Sequence, residues 1–280
     1  MTKEKVKFTV VIPTSIDRGL LLPYSVESIK KQTIQDFEIF IIGDGVNDFT
    51  RDVVQELQKK DDRIHFFDFP KHPRRGEENR HQVLSKATGK YVSYLCDRDL
   101  MLPHHLEMLE IYLKDADFVS TLNFNVSGEQ LLFGFKNLEK PKPASWVLSC
   151  VGHRLAFYKD LPFGWRTTPQ NQYTDKYMWD QFLDHPQCRS YAGLEPTILW
   201  FKRGDHPGLS TLERKLELEK WSLIIHNPHL FTKIKENSFF KVLRDHEFVK
   251  KNYTFLFKGK RLNQIPAEIG KKIKKILFRK

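Results

Sequence analysis

Tyr91–Pro103 reads YVSYLCDRDLMLP, and the fold turns on how this stretch is read. The apolar run YVSYLC has the length and composition of a short buried strand. It stops at two carboxylates, Asp97 and Asp99, with Arg98 between them, and apolar residues then lead to Pro103. The segment PHHLEMLEIYLKDA that follows is a helix with proline in its first turn. A strand, a polar loop and a helix in that order mark the carboxyl edge of a parallel sheet, where α/β proteins bind their ligands. Paired acids at such an edge can hold a metal and a diphosphate. An arginine between them leaves the metal open.

The same rhythm runs upstream. KFTVVIPT (Lys7–Thr14) is a β-branched run stopped by Pro13, and LLLPYSVESIKKQT follows with Leu22, Val26 and Ile29 at helical spacing. FEIFIIGDG is a second strand, FTRDVVQELQKKD an amphipathic helix and RIHFFDFP a third strand. EENRHQVLSKATGK is expected to be a helix closed by Gly89 as its C-terminal cap. After YVSYLC and its helix, DFVSTLNFNV is a strand again. Alternation of this kind predicts an α/β, Rossmann-like and mostly parallel sheet flanked by helices. Thr14, Asp44 and Asp97 then all stand at strand ends.

After about Gly134 the rhythm breaks. KNLEKPKPASW is a loop with two prolines, and PFGWRTTPQNQYTDKYMWDQFLDH is aromatic-rich and turns helical near Asp175. LEPTILWFKRGDHPGLS is a strand with a His/Gly loop behind it, and from Glu213 the chain is helical and charged. The expected organisation is one domain over 1–212, in halves 1–125 and 126–212, with a helical C-terminal extension over 213–280.

Composition bounds the partners. A chain of 280 residues with 40% hydrophobic content builds a real core, and a net charge of +11 calls for anionic partners. Cys96, Cys150 and Cys188 are odd in number and far apart, so neither a disulfide framework nor a cysteine zinc site is expected, in keeping with a reducing cytosol. The N-terminal apolar run is too short for a signal peptide, and no run approaches the ~20 apolar residues of a membrane span. No helix-turn-helix, zinc or RRM signature supports nucleic acid as a partner.

GDGVND (Gly43–Asp48) also matches the late metal-binding motif of haloacid-dehalogenase-type phosphatases. In those enzymes a DxDx[TV] nucleophile motif comes first. The one strand preceding Gly43 carries no DxD, so the order is wrong. The plainer reading gives Gly43, Asp44, Gly45 and Asn47 to turn chemistry.

The ordered set of motifs resembles the nucleotide-sugar half of family 2 glycosyltransferases, which have the GT-A fold. The set comprises Pro13–Thr14 at the end of the first strand, then KQTIQDFEIFIIGDG, then Gly76, Arg80, Ala87-Thr88-Gly89, Tyr91, the acids and Pro103. His81 stands where the family usually has Asn, and the match covers about the first 110 residues. The resemblance implies an inverting transfer of a sugar from a nucleotide-diphosphate donor, UDP-linked, to a hydroxyl acceptor in surface polysaccharide or glycolipid synthesis. Pro13, Thr14 and Asp44 would receive the base, with Asp44 accepting the uracil imide N–H. Arg80, Asp97 and Arg98 would take the ribose and diphosphate. A Mn²⁺ or Mg²⁺ ion held by carboxylates would neutralise the charge that develops on the leaving group.

With Pro103 as the ruler, the family's Asp-x-Asp-Asp falls on Cys96, Arg98 and Asp99, so Arg98 occupies the usual metal-ligand position. Read as an isolated DxD, the ligands are Asp97 and Asp99, with His206 as a late ligand. Either the loop shifts and the acids hold the metal, or metal binding weakens and basic side chains steady the diphosphate. On the acceptor side the resemblance makes Asp175 the catalytic base, with Asp180 its rival and helix capping the plainer role. His153 and Trp179 would meet the acceptor, although aromatic residues here also suit a core. QIPAEIGKKIKKILFRK (264–280) has an isoleucine face opposite a lysine face, which fits an anionic membrane surface. The expectation is a cytoplasmic protein, peripheral at the inner face of the membrane, acting on a glycan or lipid-linked acceptor. The other classes are a phosphatase using GDGVND and a non-catalytic nucleotide- or membrane-binding module.

Overall fold

The structure is a computed structural model that describes residues 6–133, 147–201, 209–252, 256–257 and 260–261. The chain forms two compact units, Met1–Phe231 and Thr232–Lys280. In chain order the elements are β1 (Val6–Ser15), α1 (Leu22–Lys30), β2 (Phe37–Asp44), α2 (Asp48–Lys60), β3 (Ile64–Phe69), α3 (Glu77–Leu84) and β4 (Gly89–Tyr94). Then come β5 (Leu100–Met101), α4 (His105–Leu113), β6 (Phe118–Ser127), β7 (Gln130–Phe133), β8 (Val151–Arg154), α5 (Leu155–Lys159), α6 (Thr174–Leu183) and β9 (Ser190–Trp200). Two helices, α7 (Thr211–Ile225) and α8 (Pro228–Asn252), and a small antiparallel pair, β10 (Leu256–Phe257) and β11 (Lys260–Arg261), complete the described chain.

Nine strands form one sheet in the order β3-β2-β1-β4-β8-β6-β9-β5, with β7 added to β6. The first four are parallel neighbours, as the alternation predicts. Beyond β4 the sheet is mixed: β8 is antiparallel to both β4 and β6, β9 is parallel to β6, and β5 is antiparallel to β9. The order of the strands reverses at β1, running outward to β2 on one side and to β4 on the other, and such a switch point opens a crevice at the carboxyl ends of these parallel strands. Successive residues of β1 serve opposite faces. Phe8, Val10 and Ile12 join one core with Leu22, Val26, Val54 and Leu109, while Val11 joins another with Val83, Tyr94, Trp165 and Trp179. Each such fully buried side chain contributes about 1.5–3 kcal/mol.

Several of the motif residues hold the sheet together. Buried Glu38 accepts from Thr9 Oγ1 at 2.6 Å and from Thr88 N at 2.7 Å, and Gly89 N donates to Thr9 Oγ1 at 3.0 Å. A Cβ at Gly89 would lie 2.3 Å from Thr9 N. Gly89 therefore opens β4 where it closes on β1, and does not cap α3 as expected; that helix ends at Leu84, with Ser85 at the cap. Gln32 donates to Leu102 O at 2.9 Å and accepts from Leu106 N at 2.9 Å, which fixes the loop around Pro103 to the end of α1.

Candidate active site

The candidate site lies where β1, β2 and β4 end. Thr14 pairs with Gly43 and Ser15 with Asp44, so the ends of the first two strands stand side by side; Pro13 sits one step back, opposite Ile42. β4 leaves the sheet after Leu95, whose N–H still reaches Val11 O, and the chain then turns tightly. Asp99 N donates to Cys96 O at 3.0 Å, which makes Cys96–Asp99 a β-turn with Asp97 and Arg98 at its tip. Asp97 is buried and accepts from Thr14 Oγ1 at 2.9 Å. Arg98 Nη1 lies 3.7 Å from one of its oxygens and Arg18 Nε 4.0 Å from the other. Burial pushes the Asp97 carboxyl above the ordinary carboxylate range, against the pull of Arg98, Arg18 and Thr14.

Asp99 has a different role. It has no exposed surface, and both carboxylate oxygens are used inside the protein: Ser149 Oγ donates to one at 2.6 Å and Phe201 N to the other at 3.2 Å. Ser149 Oγ also accepts from Cys96 N at 3.0 Å, so one hydroxyl bridges both ends of the turn. Burial pushes Asp99 up to about 6. The turn therefore presents one carboxylate, between two guanidiniums, to the crevice. A hard divalent cation prefers several oxygen ligands, and this donor set does not fit one. Among the described residues no group of three or more His, Cys, Asp or Glu is disposed to hold a metal ion. His206, the expected late ligand, lies outside the described residues, as do Trp146, whose ring would suit stacking on a sugar, and the 264–280 segment.

Asp44, at the end of β2, is buried and accepts from Lys71 Nζ and, at 2.5 Å, from His72 N. The rest of GDGVND does turn and cap work. Gly45 has φ +66°, Asn47 caps α2 by accepting from Thr50 N, and Asp48 pairs with Arg51. Arg80 is buried on α3 with its guanidinium 4.7 Å from the Trp165 ring centre. Its Nη2 donates to Arg75 O at 2.8 Å, while Nε and Nη1 find no acceptor among the described residues. Burial lowers the Arg80 pKa, and the opposing charges are Asp175 first and Glu77 next.

Asp175 stands in the first turn of α6, where the helix dipole favours a carboxylate. Its charge acts on Arg80 and also on the Cys96 thiol, which burial above all pushes far up. The structure thus brings α6 to the end of β4. Glu77, which the sequence reading missed, fastens that approach. Fully buried, it accepts from Arg75 N at 3.0 Å, Thr168 N at 3.4 Å and Thr174 Oγ1 at 3.5 Å. Arg18 and Ser149 were missed too; neither lies in a motif, and only proximity in the fold reveals them. Asp180, the rival base, faces Lys176 on the same helix.

His153, on β8 beneath α6, and Trp179, on the inner side of α6, were expected to meet the acceptor but are buried and present no open face. His153 Nδ1 lies 3.1 Å from Arg154 O, so Nδ1 donates there and Nε2 accepts from Tyr94 OH at 2.9 Å; Tyr94 OH in turn accepts from Trp165 Nε1 at 3.1 Å. With both nitrogens satisfied and burial opposing charge, the His153 pKa drops to about 4. Trp179 packs on Tyr94, Phe118 and Trp165.

Known proteins resemble this chain in sequence and in fold. The chain is 37% identical over 103 residues to the GalNAc(5)-diNAcBac-PP-undecaprenol beta-1,3-glucosyltransferase of Campylobacter jejuni, a stretch covering 37% of this chain and 33% of that protein. It is 31% identical over 113 residues to the putative teichuronic acid biosynthesis glycosyltransferase TuaG of Bacillus subtilis, covering 38% and 42%. The matches therefore span less than half the length of these relatives. Among solved structures, S. aureus TarS 1-349 in complex with UDP-GlcNAc superimposes with a TM-score of 0.58 at 17% identity, over 70% of this chain and 59% of that one. The mannosyltransferase PcManGT from Pyrobaculum calidifontis in complex with GDP-Man and Mn²⁺ does so with a TM-score of 0.53 at 14% identity, over 74% and 61%. The sequence profile described as Glycosyl transferase family 2 matches residues 9–178. Its span runs from within β1 through the first half of α6, Asp175 included, and the chain belongs to glycosyltransferase family 2, with the GT-A fold.

Proposed function

We propose that the protein is an inverting hexosyltransferase, moving a sugar from a UDP-linked donor to a hydroxyl of a glycan or lipid-linked acceptor in surface polysaccharide or glycolipid synthesis. The observation that carries this reading is the tie between α3 and the start of α6. Buried Glu77 accepts from Thr168 N and Thr174 Oγ1, which holds Asp175, in the first turn of α6, on the side of Arg80 and the Cys96–Asp99 turn. Family membership supports sugar transfer, and the complexes of TarS with UDP-GlcNAc and with UDP support a uridine nucleotide.

In this reading residues 1–125 form the donor half and 126–212 the acceptor half. Pro13 and Thr14 border the base. Asp44 accepts the uracil imide N–H with lone pairs left over from Lys71 and His72. Arg80 supplies positive charge toward the ribose and diphosphate. The acceptor oxygen bonds to the anomeric carbon as the bond from that carbon to the diphosphate oxygen breaks. The hydroxyl proton passes to Asp175, and the bonding electron pair leaves with UDP. Attack opposite the leaving group inverts the anomeric centre. Asp175 then returns its proton to water. His153 packs beneath α6 and Trp179 anchors that helix to the core, and together they fix α6 on the acceptor side.

The protein would work in the cytoplasm at the inner face of a membrane. The Campylobacter relative is named for an undecaprenol-linked substrate, and the basic C-terminal extension suits an anionic surface. No helix among the described residues is long and apolar enough to cross a membrane.

The test is Asp175→Asn assayed against a panel of nucleotide-sugars. Transfer should fall about 10²- to 10⁴-fold while UDP affinity stays unchanged. Undiminished transfer removes Asp175 as the base. UDP binding by the wild type without transfer from any donor points to a binding module. Phosphate release from phosphomonoesters in place of transfer points to the phosphatase.

A further inference from the structure

We infer that the positive charge facing the donor's diphosphate is built into the chain, as Arg98 with Arg18, where the family has a divalent cation. The inference rests on the donor reading above and concerns the same crevice.

Three observations converge on it. Counted back from Pro103, the usual ligand position holds Arg98. The turn geometry agrees with that count, because Asp99 is committed to Ser149 Oγ and Phe201 N with no exposed surface. To serve as a ligand it would have to abandon both bonds and rebuild the turn. The tip then consists of Asp97, braced by Thr14, with Arg98 Nη1 at 3.7 Å and Arg18 Nε at 4.0 Å. Formal charges add to the case. Two guanidiniums outnumber the one carboxylate they face, Asp97, and Asp17, a further carboxylate acting on Asp97, tempers that excess. A divalent ion brought to Asp97 would instead meet two fixed positive charges.

The side chains suit the task. Arg98 and Arg18 are 17% and 27% exposed, sheltered enough to limit screening yet open to a ligand. A guanidinium presents paired N–H donors that match two phosphate oxygens. The bond from the anomeric carbon breaks with its electron pair on the diphosphate, and that added negative charge faces a cation that is always present and needs no loading. Nucleotide binding would then be indifferent to divalent ions and sensitive to Arg98.

The experiment is UDP binding by calorimetry to the full chain, in excess EDTA and in Mn²⁺. The wild type should bind UDP in EDTA within about twofold of its affinity in Mn²⁺. Binding that collapses in EDTA overturns the inference while leaving the donor reading intact, and absence of binding in both buffers removes the donor reading as well. Arg98→Gln should weaken UDP about tenfold or more in both buffers; wild-type affinity in this variant overturns the inference. Arg98→Asp, which restores a carboxylate, should bind UDP better in Mn²⁺ than in EDTA. Equal behaviour in the two buffers would mean that the position does not face the diphosphate. The wild-type arm needs no variant, so it decides the matter even if a substitution unfolds the turn.

Discussion

Asp97 and Asp99 are two residues apart and do opposite things. Asp97 stands at the tip of the turn among cations, and Asp99 ties the turn to Ser149 and Phe201. The sequence made both visible as acids at a strand end. Which one faces the crevice depends on a serine fifty positions downstream, and no local pattern carries that information. Ser149→Ala tests the tie. It strips a donor from the buried Asp99 carboxylate and an acceptor from Cys96 N, and it should cost about 2–3 kcal/mol in urea denaturation. A change within ~0.5 kcal/mol would mean that the turn holds without the hydroxyl. The same logic separates Arg98 from a surface arginine, since its place at the tip comes from the turn that Ser149 closes.

At the scale of elements, the family motifs turn out to be largely structural. Glu38 and Thr9 bridge β2, β1 and the start of β4, and Gln32 fastens α1 to the Pro103 loop. GDGVND gives one residue to the crevice edge, Asp44, and spends Gly45 and Asn47 on the turn and the cap. Gly89 shows where sequence reasoning went astray. A glycine after a helical run reads as a C-cap, but here the missing Cβ serves the closeness of two strands. Gly89→Ala must displace Thr9 backbone, so it should destabilise the protein by about 3 kcal/mol or more in a denaturation midpoint. A loss near the ~1 kcal/mol typical of an ordinary substitution would restore the capping role.

At the scale of the whole molecule, two buried histidines link stability to pH. His105, held by Thr197 and Ser93, is pushed down to about 3, and His153 to about 4, both by burial. An unfolded histidine titrates near ~6.5, so below that pH the unfolded chain binds protons that the native state refuses. The stability these groups contribute is present above ~6.5 and is lost as pH falls toward their folded values. Asp97 and Asp99 oppose the trend. Their raised pKa values favour the native state at low pH, and for Asp99 that contribution disappears as pH rises through about 6. His153→Gln should therefore reduce the dependence of unfolding free energy on pH between ~6.5 and ~4 by about one proton, or ~1.4 kcal/mol per pH unit. An unchanged slope in a pH series of urea melts would mean that His153 is already charged in the folded protein.

By itself the sequence determined the strand–helix alternation, the strand ends at which Thr14, Asp44 and Asp97 meet, and the family. These are written in short-range periodicity and in an ordered set of motifs. Tertiary structure alone decided which acid stands at the tip of the turn, that His153 and Trp179 belong to the core, and that Glu77, Arg18 and Ser149 gather at the candidate site. The mixed half of the sheet was also its decision. The physical reason is common to all of these. Burial, hydrogen-bond satisfaction and the direction of a side chain depend on groups brought together from 29 to more than 100 positions apart, as in the Thr9–Glu38 and Asp99–Phe201 bonds.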